Sequence, residues 1–288
     1  MPLRRAGVSL IETLLALAIV GLMVGLLLSA VQKVRGVAER TGSTNNLRQI
    51  MLAVQQSSGN TGRLPGWKAG AKSSLPDRSP LADVMLLLYP EYRGRNRQHQ
   101  VDEDGIDTPK LFRNPSDPSY AFHPPSQGTS PGNTSYGANF LVFSGHRALA
   151  SEFPDGLSNT IAFTEHYARC GPAPPANFSV SLRLSILRKN GVESYNPERR
   201  RCSFADRYYD NVIPLTEGRV TRPSRPGVTF QTAPTVPKCD PTIPQTPHNG
   251  GMVTAMLDGS VRITKSGVSP EVFWSAVTPA GRETVPFD

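Results

Sequence analysis

The chain opens on an almost unbroken apolar run. After Glu12 no charged residue occurs from Thr13 to Val31, and Leu, Ala, Val, Ile and Met dominate. About 20 such residues in helical form span a hydrocarbon layer of roughly 30 Å. The helical step then continues through Val31, Val34 and Ala38, and Leu47, Ile50, Met51 and Val54 fall at i, i+3, i+4 and i+7. This pattern predicts one helix from Ser9 to about Gln56. Its first half suits lipid and its second half is amphipathic. Gly36 and Gly42 would loosen it, and Ser57-Ser58-Gly59-Asn60 would end it.

Beyond the helix the pattern shortens. A loop runs from Thr61 to Pro80. A short helix follows at Leu81–Tyr89, with Leu81, Val84, Met85 and Leu88 on one face. Arg93 to Pro118 is polar and turn-rich. Strands are expected at Ser135–Phe143, Thr160–His166 and Ser179–Leu187, with a breaker at Pro172–Ala176. Pro214 to Pro247 reads as an extended surface segment. Gly251–Leu257 and Ser260–Thr264 are two β-type runs joined through Asp258-Gly259. That dipeptide suggests a type I′ turn with positive φ at both centres. A last helix is expected at Pro270–Val277, with Val272, Phe273 and Val277 on one side. The fold class is therefore α+β: a long N-terminal helix on a mainly antiparallel, β-rich head with long Pro/Gly-rich loops.

Composition agrees with that division. The 288 residues include 27 Pro and 25 Gly, too many for an all-helical body. Lys and Arg exceed Asp and Glu by 31 to 23, for a formal charge of +8. The cations are scattered, and Arg199-Arg200-Arg201 lacks interleaved aromatics, so it reads as a solvated loop and no nucleic-acid partner is expected. Cys170, Cys202 and Cys239 allow one disulfide outside the cytoplasm, with three pairings open. They form no zinc-type cluster.

Glu12 is the chemical anomaly. An ionised side chain in hydrocarbon costs on the order of 2.5–3.5 kcal/mol on insertion scales and commonly marks function. No cation lies beside it within the run. A secretory signal would have a shorter core of about 7–15 residues and a small-residue cleavage site, which Ser29-Ala30-Val31-Gln32 matches poorly. Glu12 could also snorkel to the headgroups or take up a proton. Gly21 and Gly25 form a Gly-x-x-x-Gly pair, which permits close helix approach. Cations flank the run on both sides (Arg4 and Arg5 before it, Lys33, Arg35, Arg40 and Arg48 after it), so charge does not fix its orientation.

Arg4-Arg5-Ala6-Gly7 followed by Val8-Ser9-Leu10-Ile11-Glu12 resembles the type IV prepilin leader of pilins and type II secretion pseudopilins. The resemblance implies a leader at residues 1–7, cut by prepilin peptidase after Gly7, with Val8 becoming the N-methylated first residue. Val8 stands where that family usually has Phe. It also implies a pilin-like layout, with a transmembrane segment at 8–30, an extramembrane half-helix at 31–56 and a head at 57–288. The helix would lie in the inner membrane, single-pass, with the head extracytoplasmic. Glu12 would meet the new amine of a neighbouring pilin-like subunit, so that opposite charges offset desolvation.

Further segments resemble a prepilin-headed family of unknown function that carries His, nine residues, then Asp-Gly near its C-terminus. Here these are His248, Asp258 and Gly259. Asn45-Asn46-Leu47-Arg48-Gln49-Ile50, Pro115-Ser116-Asp117-Pro118, Thr134-Ser135-Tyr136-Gly137-Ala138-Asn139 and Asp155-Gly156-Leu157-Ser158-Asn159-Thr160 with Glu165 resemble its other motifs. Members often have cysteine where Ser43 and Asn114 stand. The resemblance thus implies a lost bridge between helix and loop.

The remaining candidates have plain readings. His248 and Asp258 flank one strand, at opposite ends, so direct acid–base cooperation is not expected; Asp258 is a turn residue and His248 a strand-entrance residue. Asp155 to Asn159 forms a capped turn. Glu165 and His166 are adjacent on a strand and point to opposite faces. Asp102, Asp104 and Asp107 make a dense oxygen-ligand loop of the kind that holds calcium in some pseudopilins, but it lacks the EF-hand pattern and reads as a solvated acidic loop. No nucleophile elbow, phosphate loop or His-Glu-x-x-His occurs, so neither an enzyme nor a cofactor is expected. Two readings remain: a structural subunit of a type II secretion or type IV pilus-like filament, or an anchored head that recognises a secreted substrate, surface glycan or envelope protein.

Overall fold

The computed structural model describes residues 9–66, 68–69, 76–90, 108–120, 133–144, 147–149, 151–171, 178–181, 186–189, 192–195, 199–205 and 228–279. Helix α1 runs unbroken from Leu10 to Thr61, 52 residues, with neither Gly36 nor Gly42 interrupting it. It passes the Ser57–Asn60 stretch and stops at Gly62. That glycine takes the left-handed conformation (φ 73°), and its N–H bonds back to Ser58 O at 2.7 Å. Backbone geometry at one glycine thus outweighs a run of weak helix formers. Every residue from Ser9 to Ala38 is exposed, including Leu10 through Leu28 and Val31, Val34 and Val37. Leu47, Ile50, Met51 and Val54 are fully buried, as their spacing requires.

The head is built on a five-stranded sheet. Its members are β3 (Tyr136–Asn139), β4 (Ile161–Glu165), β10 (Ser203–Phe204), β13 (Met252–Met256) and β14 (Val261–Thr264), in the order β10-β3-β4-β13-β14. Only the β10–β3 pair is parallel. One face carries Tyr136, Ala138, Phe163, Val253 and Ala255 against α1 and against Leu81, Val84 and Met85 of α2 (Pro80–Leu88). The opposite face carries Ile161, Met252 and Met256 against Phe273, Ala276 and Val277 of a C-terminal helix at Pro270–Val277, α4. Both short helices are started by a serine whose Oγ accepts a backbone N–H: Ser79 from Ala82 at 3.1 Å and Ser269 from Val272 at 3.3 Å, each followed by proline.

Smaller pairings complete the head: β1 (Lys68–Ala69) with β2 (Pro76–Arg78), β5 (Arg169–Cys170) with β6 (Phe178–Ser181) and β9 (Arg199–Arg201), β7 (Ile186–Lys189) with β8 (Val192–Tyr195), and β11 (Gln231–Thr232) with β12 (Gln245–Thr246). Cys170 and Cys239 form the disulfide, with Cα atoms 5.4 Å apart; Cys202 is buried outside it.

Several expectations change. The strand foreseen over Ser135–Phe143 ends at Asn139, and Phe140–Phe143 turns into a short helix, α3. Asn139 causes the switch. Its Oδ1 accepts Leu141 N–H at 3.0 Å, while its Nδ2 donates to Ile161 O and Val277 O at 2.8 and 2.7 Å. Ser179–Leu187 is not one strand but parts of β6 and β7, in different sheets. Arg199–Arg201 is not a loop; parallel pairing with β6 supplies its backbone partners. The described part of the Pro214–Pro247 segment is only partly at the surface: Val228, Thr232, Ala233, Thr235, Pro237 and Lys238 are exposed, whereas the disulfide ties Cys239 to β5 and Gln245 and Thr246 are fully buried. The hairpin turn has three residues: Met256 N–H bonds to Ser260 O and Gly259 N–H to Met256 O, and only Gly259 takes positive φ (90°). This is a type I turn closed by a left-handed glycine, not type I′. Gly7, Val8, Asp102, Asp104 and Asp107 lie outside the described residues.

Candidate functional site

The residues with most chemical content meet where α1 enters the head. Glu165, the last residue of β4, is fully buried and accepts four hydrogen bonds. Ser43 Oγ of α1 and Asn114 Nδ2 donate to Oε1 at 2.7 and 2.8 Å. Thr246 Oγ1 of β12 and the Val253 N–H of β13 donate to Oε2 at 2.6 and 3.1 Å. Five segments separated by up to two hundred positions therefore end on one carboxyl group. Burial pushes the Glu165 pKa up, against the hydrogen bonds and the more distant Arg40 charge. Ser43 and Asn114, from segments far apart in the chain, thus meet at this one oxygen.

A second buried acid backs the first. Asp117 accepts from the Ser119 N–H at 2.8 Å, Ser135 Oγ at 2.6 Å and the Ala168 N–H at 2.8 Å. Burial pushes its pKa up as well. Tyr136 links the two layers: it pairs with Glu165 in the β3–β4 ladder, its Oη donates to Ser43 Oγ at 3.4 Å, and it accepts from Asn46 Nδ2 at 3.1 Å. Desolvation pushes its pKa up too. Asn46 also donates to Arg113 O at 2.9 Å. The motif residues Asn46, Asp117, Ser135, Tyr136 and Glu165, scattered along the sequence, thus form one network against α1.

His248 touches that network through its N–H, which donates to Thr246 Oγ1 at 3.2 Å, while Asp258 and Gly259 lie outside it but not outside its task. Arg40 Nη2 donates to Gly251 O at 2.7 Å, and Gln55 Nε2 donates to Leu257 O at 3.3 Å. The helix from Arg40 to Gln55 and the strand from Gly251 to Leu257 each measure roughly 20 Å, from rises of about 1.5 and 3.4 Å per residue. The nine residues between His248 and Asp258 therefore match the length of α1 that the head grips. His248 is half-buried at the entry end, where burial and Arg40 push its pKa down and Glu39 opposes them. Asp258 is exposed at the far end, its Oδ1 accepting the Ser260 N–H at 2.8 Å, as a turn residue should. A Cβ on Gly259 would sit 3.0 Å from Gln55 Nε2. The two acid–base candidates stand apart, as their spacing requires.

The Asp155–Asn159 turn is closed by Asn159 Nδ2 on Asp155 O and Thr160 Oγ1 on Gly156 O, both at 3.0 Å. Among the described residues no three His, Cys, Asp or Glu side chains gather as a metal site. At the other end of the molecule Glu12 has a local partner that its sequence context did not reveal: Ser9 N–H donates to its Oε2 at 2.9 Å. The carboxylate caps its own helix, which favours negative charge at that terminus. Gly21 and Gly25 face open space.

Glu165 and Thr246 were the residues that sequence reasoning undervalued. The available signal was an acid closing the apolar strand Ile161–Thr164, a place where an unpaired carboxylate is costly.

The chain belongs to a protein family of unknown function, DUF1559 (SBP_bac_10), whose profile matches residues 32–271. No curated protein and no solved structure matches it.

Proposed function

We propose that the chain is a membrane-anchored, pseudopilin-like structural subunit. One observation carries the reading: a single helix is exposed from Leu10 to Ala38 and apolar without a charge from Thr13 to Val31, then without a break becomes the core helix of the head. An exposed apolar helix in water would leave the hydrophobic effect unsatisfied along its whole length. Lipid and neighbouring helices satisfy it. α1 is the one described helix long and apolar enough to cross a membrane. The head sits on the extracytoplasmic side, and the protein acts by assembly rather than catalysis.

Prepilin peptidase cuts between Gly7 and Val8 and methylates Val8. The new amine lies one residue from Ser9, whose N–H already holds one oxygen of Glu12. The other oxygen is left to meet the amine of an adjacent pilin-like subunit. Cross-linking in native membranes tests this assembly step. Wild-type chains are expected to yield ladders, and Glu12→Ala chains monomers that are still processed and inserted. Monomers alone from the wild type would instead favour an anchored head that binds a surface ligand.

A further inference from the structure

The buried hydrogen-bond geometry around Glu165 can be satisfied in two protonation states. Each carboxyl oxygen receives one donor that cannot reverse, Asn114 Nδ2 on Oε1 and Val253 N–H on Oε2. Each also receives one hydroxyl that can, Ser43 on Oε1 and Thr246 on Oε2. As an anion, Glu165 accepts all four. As an acid, it donates to Thr246 Oγ1, whose own hydrogen turns to Gly251 O at 3.5 Å, and still accepts the other three. Gly251 O is the same atom that Arg40 of α1 grips. Both hydroxyls therefore report to α1, Ser43 directly and Thr246 through Gly251.

We propose that Glu165 is a proton-operated latch between the anchor helix and the head: neutral, it seats α1 firmly, and ionised, it loosens the helix. The anion is buried with no cation in contact, so its four hydrogen bonds offset only part of its desolvation, and opening the joint to water relieves the rest. The charged and titratable groups around it are few. α1 presents Arg40, β3 presents Tyr136, the loop behind it Asp117, and the segment after β4 the buried His166 and Tyr167. His248 follows β12. Of these only Arg40 is cationic throughout, and it favours the anion weakly from a distance. Burial, acting against the hydrogen bonds and Arg40, holds the proton on Glu165 above the ordinary carboxylate range. Docking is thus complete in acid and is lost as pH rises through the folded pKa of Glu165.

The latch stands independently of processing and filament assembly, so full-length chain in detergent micelles is enough to test it. Hydrogen exchange of the α1 segment from Ser43 to Ser58 would be followed from about pH 4 to about pH 9, corrected for intrinsic rates. Protection in the wild type should fall about tenfold per pH unit between the open-state pKa of an ordinary glutamate and the folded pKa, the slope for one proton, and level off above the folded pKa. Glu165→Gln should remove that slope. Should Glu165→Gln not fold, carboxyl-labelled glutamate in the wild type serves instead. Part of its infrared protonated-carboxyl band should persist above the range where ordinary glutamates ionise and vanish where the loss of protection levels off. pH-independent protection of α1, an unchanged slope in Glu165→Gln, or no protonated glutamate band above the ordinary range would each overturn the latch.

Discussion

Ser43 of the anchor helix and Asn114 of the head donate to the same oxygen of Glu165, at 2.7 and 2.8 Å. Two side chains that share one acceptor atom are close neighbours. Contact continues next door, where a Cβ on Gly42 would lie 3.0 Å from Pro115 Cγ. The double variant Ser43→Cys/Asn114→Cys should therefore oxidise to an internal disulfide. A loop this long predicts stabilisation of about 4 kcal/mol in the chain-entropy account. Non-reducing mobility and thiol counting check it; two persistent thiols under oxidising conditions would mean the segments do not meet as described.

The helical register predicts a sharp contrast within α1. Leu47 is fully buried, whereas Leu52 is 58 % exposed. Leu47→Ala should cost about 2–5 kcal/mol of head stability. Leu52→Ala should stay within about 0.5 kcal/mol in a monomeric preparation. Thermal unfolding of the two variants side by side measures the difference. In assembled membranes Leu52→Ala has a separate use, since an exposed leucine on this face is available to a neighbour.

The glycines of the C-terminal hairpin should also differ. A Cβ on Gly251 would come within 2.3 Å of Thr264 O, a backbone atom that cannot move alone, at φ 133°. On Gly259 the conflict is with the flexible end of Gln55, plus a left-handed backbone at φ 90°. Gly259→Ala should cost about 1–2 kcal/mol. Gly251→Ala should cost more and disturb the Arg40 contact as well. Equal melting temperatures for the two variants would contradict this geometry.

Asp117 gives a pH prediction with a definite sign. Burial raises its folded pKa above the unfolded value of about 3.9. Its stabilising contribution is full below that value and is lost as pH rises through the folded pKa. Asp117→Asn should lose about 1–3 kcal/mol, because one of the Ser119 and Ala168 N–H donors then meets an amide hydrogen. It should also flatten the acid-to-neutral decline in melting temperature.

Much of this was legible in the sequence, and for local reasons. The run from Thr13 to Val31 and the spacing of Leu47, Ile50, Met51 and Val54 are properties of single segments, and both appear where the pattern puts them. The last helix, Pro270–Val277, also carries its own start signal in Ser269-Pro270. The failures are long-range. The end of β3 is decided by Asn139 reaching Ile161 and Val277, and the burial of Gln245 and Thr246 by a disulfide and by Glu165. The joint itself was visible only as scattered motifs, because hydrogen bonds between residues 43, 114, 165, 246 and 253 leave no periodic trace. Glu12 went the other way: its own helix start, three residues back at Ser9, supplies a partner where a distant one was sought.

The account stands most directly on the mature N-terminus of the protein in its native membrane. Mass spectrometry of that terminus should find a chain beginning at N-methylated Val8, which frees the amine that Glu12 of a neighbour needs. A native polypeptide that still begins at Met1, with Gly7 and Val8 joined, would contradict it.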